Sequence, residues 1–149
     1  MKPPTLFLVE DNPDDVELTL RVFKKQGSKV HVEVATDGAE AIRRLTDPTL
    51  LHAGIWPPHV VLLDLNLPKL SGMEVLQKIR VTPGIEHLPV IVLTTSNDAL
   101  ECKRCYELGA CSFVRKPVVY EAFVEVIRQL GVYWLDINMP PPSQVQAHG

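Results

Sequence analysis

The sequence has no apolar segment long enough to span a membrane and no cluster of basic residues of the kind that binds nucleic acids. Its 149 residues carry a formal net charge of −3 at pH 7. The apolar segment near the N-terminus, 6–9, is too short for a signal peptide. These absences predict a cytoplasmic protein that has neither a membrane nor a nucleic acid as a partner.

Cysteine is scarce, with only three residues, Cys102, Cys105 and Cys111. Three cysteines cannot all pair with one another, and in a reducing compartment we expect free thiols. Cys102 and Cys105 fall within a predicted helix and lack the two further ligands that a zinc site needs. We therefore interpret them as ordinary helix residues.

Strand and helix patterns alternate along the whole chain. Short apolar segments, typical of strands buried on both faces, occur at 6–9, 60–63 and 89–93, and further strands are indicated at 30–34 and 112–115. A helical pattern follows each of them. The alternation predicts an α/β fold: a doubly wound, five-stranded parallel sheet of strand order 2-1-3-4-5 with helices on both faces.

Capping signals mark where the helices begin. Asn12 and Pro13 start the first helix, and acids 14–15 in its first turn favour the helix dipole. Asp37 starts the second helix, and Ser71 with Glu74 forms a capping box for the third. The second helix is predicted to stop at 47–48. It is followed by a loop, 49–58, that is longer than most helix–strand connections.

Polar side chains follow four of the predicted strands. They are Glu10 and Asp11 after the first strand, Asp64 after the third, Thr94 at the end of the fourth and Lys116 after the fifth. In this topology the carboxyl ends of the strands meet at one edge, and the switch point lies between strands 1 and 3. Three acids there repel one another unless they hold protons or a cation, and oxygen ligands favour Mg²⁺.

The remaining groups at this edge suit a phosphoryl group. Lys116 provides a positive charge and Thr94 a hydroxyl donor for phosphoryl oxygens, which leaves Asp64 as the nucleophile. Taken singly, each has a structural explanation: Asp64 as a turn residue, Asp11 on the helix dipole, Thr94 as a cap and Lys116 in a loop. Their occurrence at the ends of separate buried strands favours a shared site.

At these positions the chain resembles the response regulator receiver domains of two-component systems. The resemblance extends from about residue 5 to residue 131, and it implies a flavodoxin-like receiver fold. The motifs that carry it are LVEDN at 8–12, LLDLNLP at 62–68, SG at 71–72, PVIVLTT at 89–95, GA at 109–110 and FVRKP at 113–117.

The resemblance implies a role for each site residue. Asp64 matches the aspartate that is phosphorylated, and Thr94 and Lys116 match the residues that contact the phosphoryl group. Thr94 and Phe113 match the switch residues, although Phe113 lacks the hydroxyl of the tyrosine often found there. The peptide bond between Lys116 and Pro117 is cis in the family.

The resemblance also implies a Mg²⁺ site. Its ligands would be Glu10, Asp11, Asp64 and the backbone carbonyl of Asn66. The acidic pair is Glu-Asp here, whereas the family usually has Asp-Asp. The longer Glu10 side chain would reach the metal through water.

The function implied is that of a single-domain response regulator. It would accept a phosphoryl group from a histidine kinase on Asp64, with Mg²⁺, and signal by a conformational switch. It would not be an enzyme beyond its own phosphoryl transfer and dephosphorylation. The alternative is a dimerising adaptor or a phosphate sink in which phosphorylation is secondary. The loop 49–58 and the segment 132–138 resemble the small regulators of bacterial phytochrome-type histidine kinases.

The predicted boundaries are a receiver domain at 1–131 and a C-terminal arm and flexible tail at 132–149. The tail is too short for an output domain. Its large apolar residues, Tyr133, Trp134, Leu135 and Ile137, are expected either to fold back on their own domain or to form a symmetric dimer.

Two other function classes fit less well. A flavin-binding module needs free N–H groups after its first strand to hold a phosphate, and the four acids at 10–11 and 14–15 would repel that group. A phosphatase of the D-x-D type needs a second acid at position 66, which is Asn66.

Overall fold

The fold is built on one parallel sheet. The computed structural model describes residues 4–25, 30–52 and 56–142. All strand pairs are parallel, and the sheet order is β2-β1-β3-β4-β5. This confirms the predicted order. The strands are β1 (Thr5–Val9), β2 (His31–Ala35), β3 (Val60–Leu63), β4 (Val90–Thr94) and β5 (Ser112–Arg115).

Helices cover both faces of the sheet, as the doubly wound fold requires. On one face α1 and α6 contribute to a single apolar cluster, and on the other α2, α4 and α5 contribute to a second. The helices are α1 (Pro13–Lys25), α2 (Gly38–Leu45), α3 (Pro48–His52), α4 (Gly72–Val81), α5 (Ala99–Glu107), α6 (Tyr120–Gly131) and a π-helix (Val132–Ile137).

The three inner strands β1, β3 and β4 are buried along their whole length. Alternate side chains of each strand point into opposite clusters; Leu62 belongs to the α1 side and Leu63 to the α4 side. Burial on both faces explains why these strands are continuously apolar in sequence. It also fixes the register, because a shift of one residue would exchange the two faces.

The predicted caps are present. Asn12 Oδ1 accepts a hydrogen bond from the N–H of Asp14 at 2.9 Å. Asp37 and Ser71 accept from the backbone N–H three residues further on, at 2.7 and 3.3 Å. Such caps each contribute about 1 kcal/mol to helix stability.

The expectation of a loop over 49–58 is wrong at its start, where α3 forms. Asp47 Oδ1 accepts a hydrogen bond from the N–H of Thr49 at 2.9 Å, and Pro48 occupies the first helical position. The same Asp-Pro pair that ends α2 therefore starts another helix. The middle of the expected loop, 53–55, lies outside the described residues.

The segment after α6 remains helical. The α-helix ends at Gly131, the predicted end of the receiver domain, but the chain continues as the π-helix. Trp134 and Leu135 pack against the cluster formed by α1 and α6, whereas Tyr133 and Ile137 are exposed. The described part of the arm and tail thus folds back on its own domain and still leaves three large apolar side chains in solvent, Tyr133, Ile137 and Met139. The tail beyond 142 lies outside the described residues.

Two sequence-level expectations concern membranes and thiols. Within the described ranges, none of the helices combines the length and apolar character that crossing a bilayer requires. Cys102, Cys105 and Cys111 are free thiols, as predicted.

At Gly72, the start of α4 lies very close to the backbone at the end of β3, beside Asp64. A Cβ at this position would lie 2.3 Å from the Asp64 carbonyl oxygen and 2.6 Å from Leu65 Cα. Since these are backbone atoms, we expect Gly72→Ala to lower the free energy of unfolding by about 3 kcal/mol, measured by urea denaturation.

The control is Gly84→Ala. Gly84 has a φ of +94°, and an added Cβ would meet nothing within 4 Å. The substitution should therefore cost only about 1 kcal/mol of backbone strain. Equal losses in the two variants would contradict the close-approach argument.

Candidate functional site

The register of β1 and β3 brings two acids together. Val9 pairs with Leu63, so the residues that follow them, Glu10 and Asp64, lie side by side at the carboxyl edge. The N–H of Asp64 donates to the Val9 carbonyl at 3.0 Å, which extends the pairing by one residue. The predicted switch point is therefore where the acids meet.

The register of β4 and β5 places the other two groups. Thr94 pairs with Arg115, and the N–H of the next residue, Lys116, donates to the Thr94 carbonyl at 2.6 Å. The Thr94 side chain is buried, and its Oγ1 accepts a hydrogen bond from the N–H of Ser96 at 3.2 Å. A threonine hydroxyl that accepts in this way still has its own proton to donate.

Three carboxylates form one cluster. Ligand oxygens of Glu10, Asp11 and Asp64 all lie within 4.8 Å of one another. Glu10 and Asp64 are buried and Asp11 is exposed. All three donors are carboxylate oxygens, which is the chemistry that Mg²⁺ and similar hard cations prefer. The geometry of this structure therefore fits a divalent ion.

Asn66 lies next to this cluster. Its N–H donates to Asp64 Oδ1 at 3.3 Å, and the residue itself is exposed. The hydrogen bond fixes one oxygen of Asp64. The proposed metal contact of the Asn66 carbonyl stays a prediction.

Lys116 reaches three acids at once. Its Nζ lies 2.6 Å from Glu10 Oε1, 2.9 Å from Asp15 Oδ2 and 3.7 Å from Asp64 Oδ2. The lysine side chain is only 6% exposed. A buried ammonium is stable only when it is paired with opposite charge, and here the acids supply it.

The sequence analysis missed Asp15 as a member of this site. It counted the residue only as an acid in the first turn of α1. A signal was available, because Asp15 lies only four residues after Asp11, in the first turn of the helix that starts beside the acidic pair. That signal could not show that the side chain contacts Lys116, since the contact joins residues far apart in sequence.

Burial and the neighbouring charges shift the pKa values of two residues at the site. Burial is the main cause that raises the pKa of Glu10 to about 7; Asp64 adds to the shift, and the hydrogen bond from Lys116 opposes it. Burial alone would lower the pKa of Lys116, but its hydrogen bonds to Glu10 and Asp15 outweigh burial and hold the pKa above its usual value. The ammonium is therefore charged at neutral pH.

Phe113, the predicted switch residue, lies partly buried on the edge strand β5. Its ring packs against the cluster on the α4 side, and its N–H donates to the Tyr106 hydroxyl at 3.2 Å. A residue on α5 thus holds the backbone of the predicted switch position. The switching role of Thr94 and Phe113 stays a prediction.

The expectation of a cis bond between Lys116 and Pro117 is wrong for this structure. The only cis peptide bond among the described residues joins Trp56 and Pro57. Lys116 reaches the acids from a trans peptide bond.

A family comparison agrees with this arrangement. The model of the response regulator receiver domain matches residues 6–128. The chain belongs to this family. The curated relatives include the probable methanogenesis regulatory protein FilR2 of Methanothrix harundinacea (strain 6Ac). It is 36% identical over 141 residues, which cover 93% of this chain and 88% of the relative.

Solved structures point to a particular group within the family. The Mn²⁺-bound form of response regulator Rcp1 has a TM-score of 0.86 at 30% identity and covers 94% of this chain and 100% of its own. The phosphorylated cyanobacterial phytochrome response regulator RcpA has a TM-score of 0.85 at 30% identity and covers 94% and 99%. The chain thus resembles stand-alone response regulators, including one of a phytochrome.

The acidic cluster predicts that a divalent cation stabilises the fold. Mg²⁺ well above its Kd should raise the melting temperature by about 5 °C, because the ion binds the native state only. Asp11→Asn should abolish most of this shift. The same variant should melt at a higher temperature than the wild type in EDTA, because one repelling charge is gone. Differential scanning calorimetry with and without Mg²⁺ measures both effects.

Asp14→Asn provides the matched control. Asp14 is exposed, lies in the same turn of the chain and is not part of the three-carboxylate cluster. Asp14→Asn removes one negative charge, as Asp11→Asn does, and should leave the Mg²⁺-induced shift in melting temperature at the wild-type value. An equal loss of the shift in both variants would argue against a site at these carboxylates.

Proposed function

We propose that this protein is a single-domain response regulator that accepts a phosphoryl group from a histidine kinase on Asp64. The observation that carries the proposal is the position of the Asp64 carboxylate. It belongs to the acidic cluster and at the same time lies 3.7 Å from the Lys116 ammonium. Beyond its own phosphorylation and dephosphorylation, the protein would catalyse no reaction.

The chemistry follows from what each group can do. A carboxylate oxygen of Asp64 attacks the phosphorus of the kinase phosphohistidine; the new P–O bond forms as the P–N bond to the imidazole breaks. The Lys116 ammonium and the Thr94 hydroxyl stabilise the charge on the phosphoryl oxygens. Lys116 and Thr94 lie at the ends of the neighbouring strands β5 and β4, and β4 pairs with β3, the strand that Asp64 follows.

The proposal includes Mg²⁺. Glu10, Asp11 and Asp64, with the carbonyl of Asn66, would hold it. When bound, the ion neutralises charge on the phosphoryl oxygens and draws the anionic donor toward Asp64. Without a cation the three carboxylates would repel that donor.

The proposed partner is a sensor histidine kinase of the phytochrome type. Similarity to the phytochrome response regulator RcpA supports this choice. The similarity, at 30% identity, covers 94% of the chain and therefore the whole domain. Such a kinase acts in the cytoplasm, which is the location we propose for this protein. A phosphate sink would use the same site and differ only in having no target.

The test is phosphorylation by a small donor. With phosphoramidate and Mg²⁺, mass spectrometry of the wild type should show one phosphoryl group on Asp64. Asp64→Asn should reduce labelling to background because an amide is not a nucleophile here. EDTA should have the same effect on the wild type.

Asp14→Asn again serves as the control, because it removes an acid that is exposed and outside the cluster. It should be labelled on Asp64 as the wild type is. Undiminished labelling of Asp64→Asn would refute the proposed acceptor.

A dimerising adaptor is the second candidate, and the π-helix favours it. Tyr133 and Ile137, one turn apart, are 48% and 66% exposed. Large apolar side chains in solvent at the same side of a helix are typical of an interface. The proposed partner is a second copy of this chain.

Sedimentation velocity tests the dimer. The wild type should sediment as a dimer at micromolar concentration, and Ile137→Glu should shift it to a monomer because a charge in the interface is costly. Val81→Glu, at an exposed apolar position at the end of α4, should remain a dimer. Adding beryllofluoride and Mg²⁺ shows whether phosphorylation controls association. A wild type that is monomeric throughout would eliminate this candidate.

A further inference from the structure

We propose that Asp15 is a positioning residue that holds the Lys116 ammonium in the unphosphorylated protein and competes with the phosphoryl group for it. This inference rests on the proposed function of Asp64 as phosphoacceptor. Asp15 itself would touch neither the phosphoryl group nor the metal. It would act through Lys116.

The first argument is the distribution of the ammonium protons. Lys116 Nζ donates to Glu10 Oε1 at 2.6 Å and to Asp15 Oδ2 at 2.9 Å. Its separation from Asp64 Oδ2, 3.7 Å, is longer than a hydrogen bond. Two of the three protons are thus committed to acids other than the phosphoacceptor. One of these acids, Asp15, approaches from α1.

The second argument is that the metal does not explain Asp15. The cluster of ligand oxygens consists of Glu10, Asp11 and Asp64, and Asp15 is not a member. Its side chain is 20% exposed, whereas that of Glu10 is 3% exposed. The strong contact of Asp15 with a buried ammonium is therefore a separate feature of the site.

The third argument is that the backbone of Asp15 is fixed, so only its short side chain can follow Lys116 if the ammonium moves. Asp15 lies in the first turn of α1, where the Thr19 Oγ1 donates to its carbonyl at 2.8 Å. Its N–H donates to Asn12 Oδ1 at 3.4 Å. A phosphoryl group on Asp64 attracts the ammonium, so the Asp15 contact must lengthen or break as the phosphoryl contact forms.

The charge of Asp15 should therefore oppose phosphorylation. It holds Lys116 away from Asp64 and also repels an anionic donor. Removing the charge while Glu10 continues to hold Lys116 should favour the phosphorylated state. For one partly solvated charge near an ion pair, we expect the ratio of phosphorylated to unphosphorylated protein to rise about fivefold.

The experiment measures this ratio at steady state with phosphoramidate and Mg²⁺. Asp15→Asn should raise it about fivefold. Asp14→Asn, which removes an exposed acid one residue earlier, should change it by less than about twofold. Asp15→Glu, which restores a carboxylate, should return it toward the wild-type value. A merely structural role of Asp15 would lower the ratio or leave it unchanged, and either result would overturn the proposal.

Lys116→Met shows whether Asp15 acts through the lysine. In that background, Asp15→Asn should have no larger effect than Asp14→Asn; a persistent fivefold rise would overturn the proposal. A double-mutant cycle of the same two substitutions, measured by urea unfolding in EDTA, tests this coupling without phosphorylation. The effects of Asp15→Asn and Lys116→Met on the unfolding equilibrium should be non-additive, and additive effects would show that the two side chains are not coupled.

Failure of the proposed function would look different. In that case the wild type would not be labelled on Asp64 at all, while the unfolding cycle would still report the Asp15–Lys116 contact. Labelling of the wild type with identical behaviour of Asp14→Asn and Asp15→Asn would instead leave the function intact and refute this inference alone.

Discussion

The structure depends on one buried charge. The Lys116 side chain is almost fully buried, and its ammonium is stable there because acids at the ends of β1 and β3 and in α1 surround it. Acids outnumber the lysine, so the site carries excess negative charge. That excess is what attracts a divalent cation, and the lysine is what a phosphoryl group can attract in turn. The same buried charge that holds the acids together is thus placed where a phosphoryl group could meet it.

The apolar strands make this arrangement possible. Because β1, β3 and β4 are buried on both faces, their register is fixed, and every residue that follows a strand end occupies a defined place. Gly72 lets α4 approach the backbone beside Asp64. The polar site therefore gains its precision from the packing of side chains that take no part in the chemistry.

The sequence was sufficient to predict the sheet order and the meeting of Glu10, Asp11 and Asp64. Hydrophobic periodicity and helix caps are local signals that locate the strands and helices. The general topology of parallel sheets then places the strand ends together. The first turn of α3 and the π-helix were not predicted. Asp47 and Pro48 suit a helix start as well as a helix end, and the packing of Trp134 on the α1 side is a tertiary contact. Patterns in a single sequence do not report such contacts.

Asp15 shows the same limit within the site. A motif identifies the groups that meet the phosphoryl group, because their types and spacing reflect that chemistry. A residue that would position a motif residue, without contacting the phosphoryl group itself, has no such motif. An acid in the first turn of a helix is already explained by the helix dipole. Only the 2.9 Å contact with Lys116 distinguishes the two roles. Since that contact links α1 to Lys116, any movement of the Lys116 ammonium would also change the contacts of the first turn of α1.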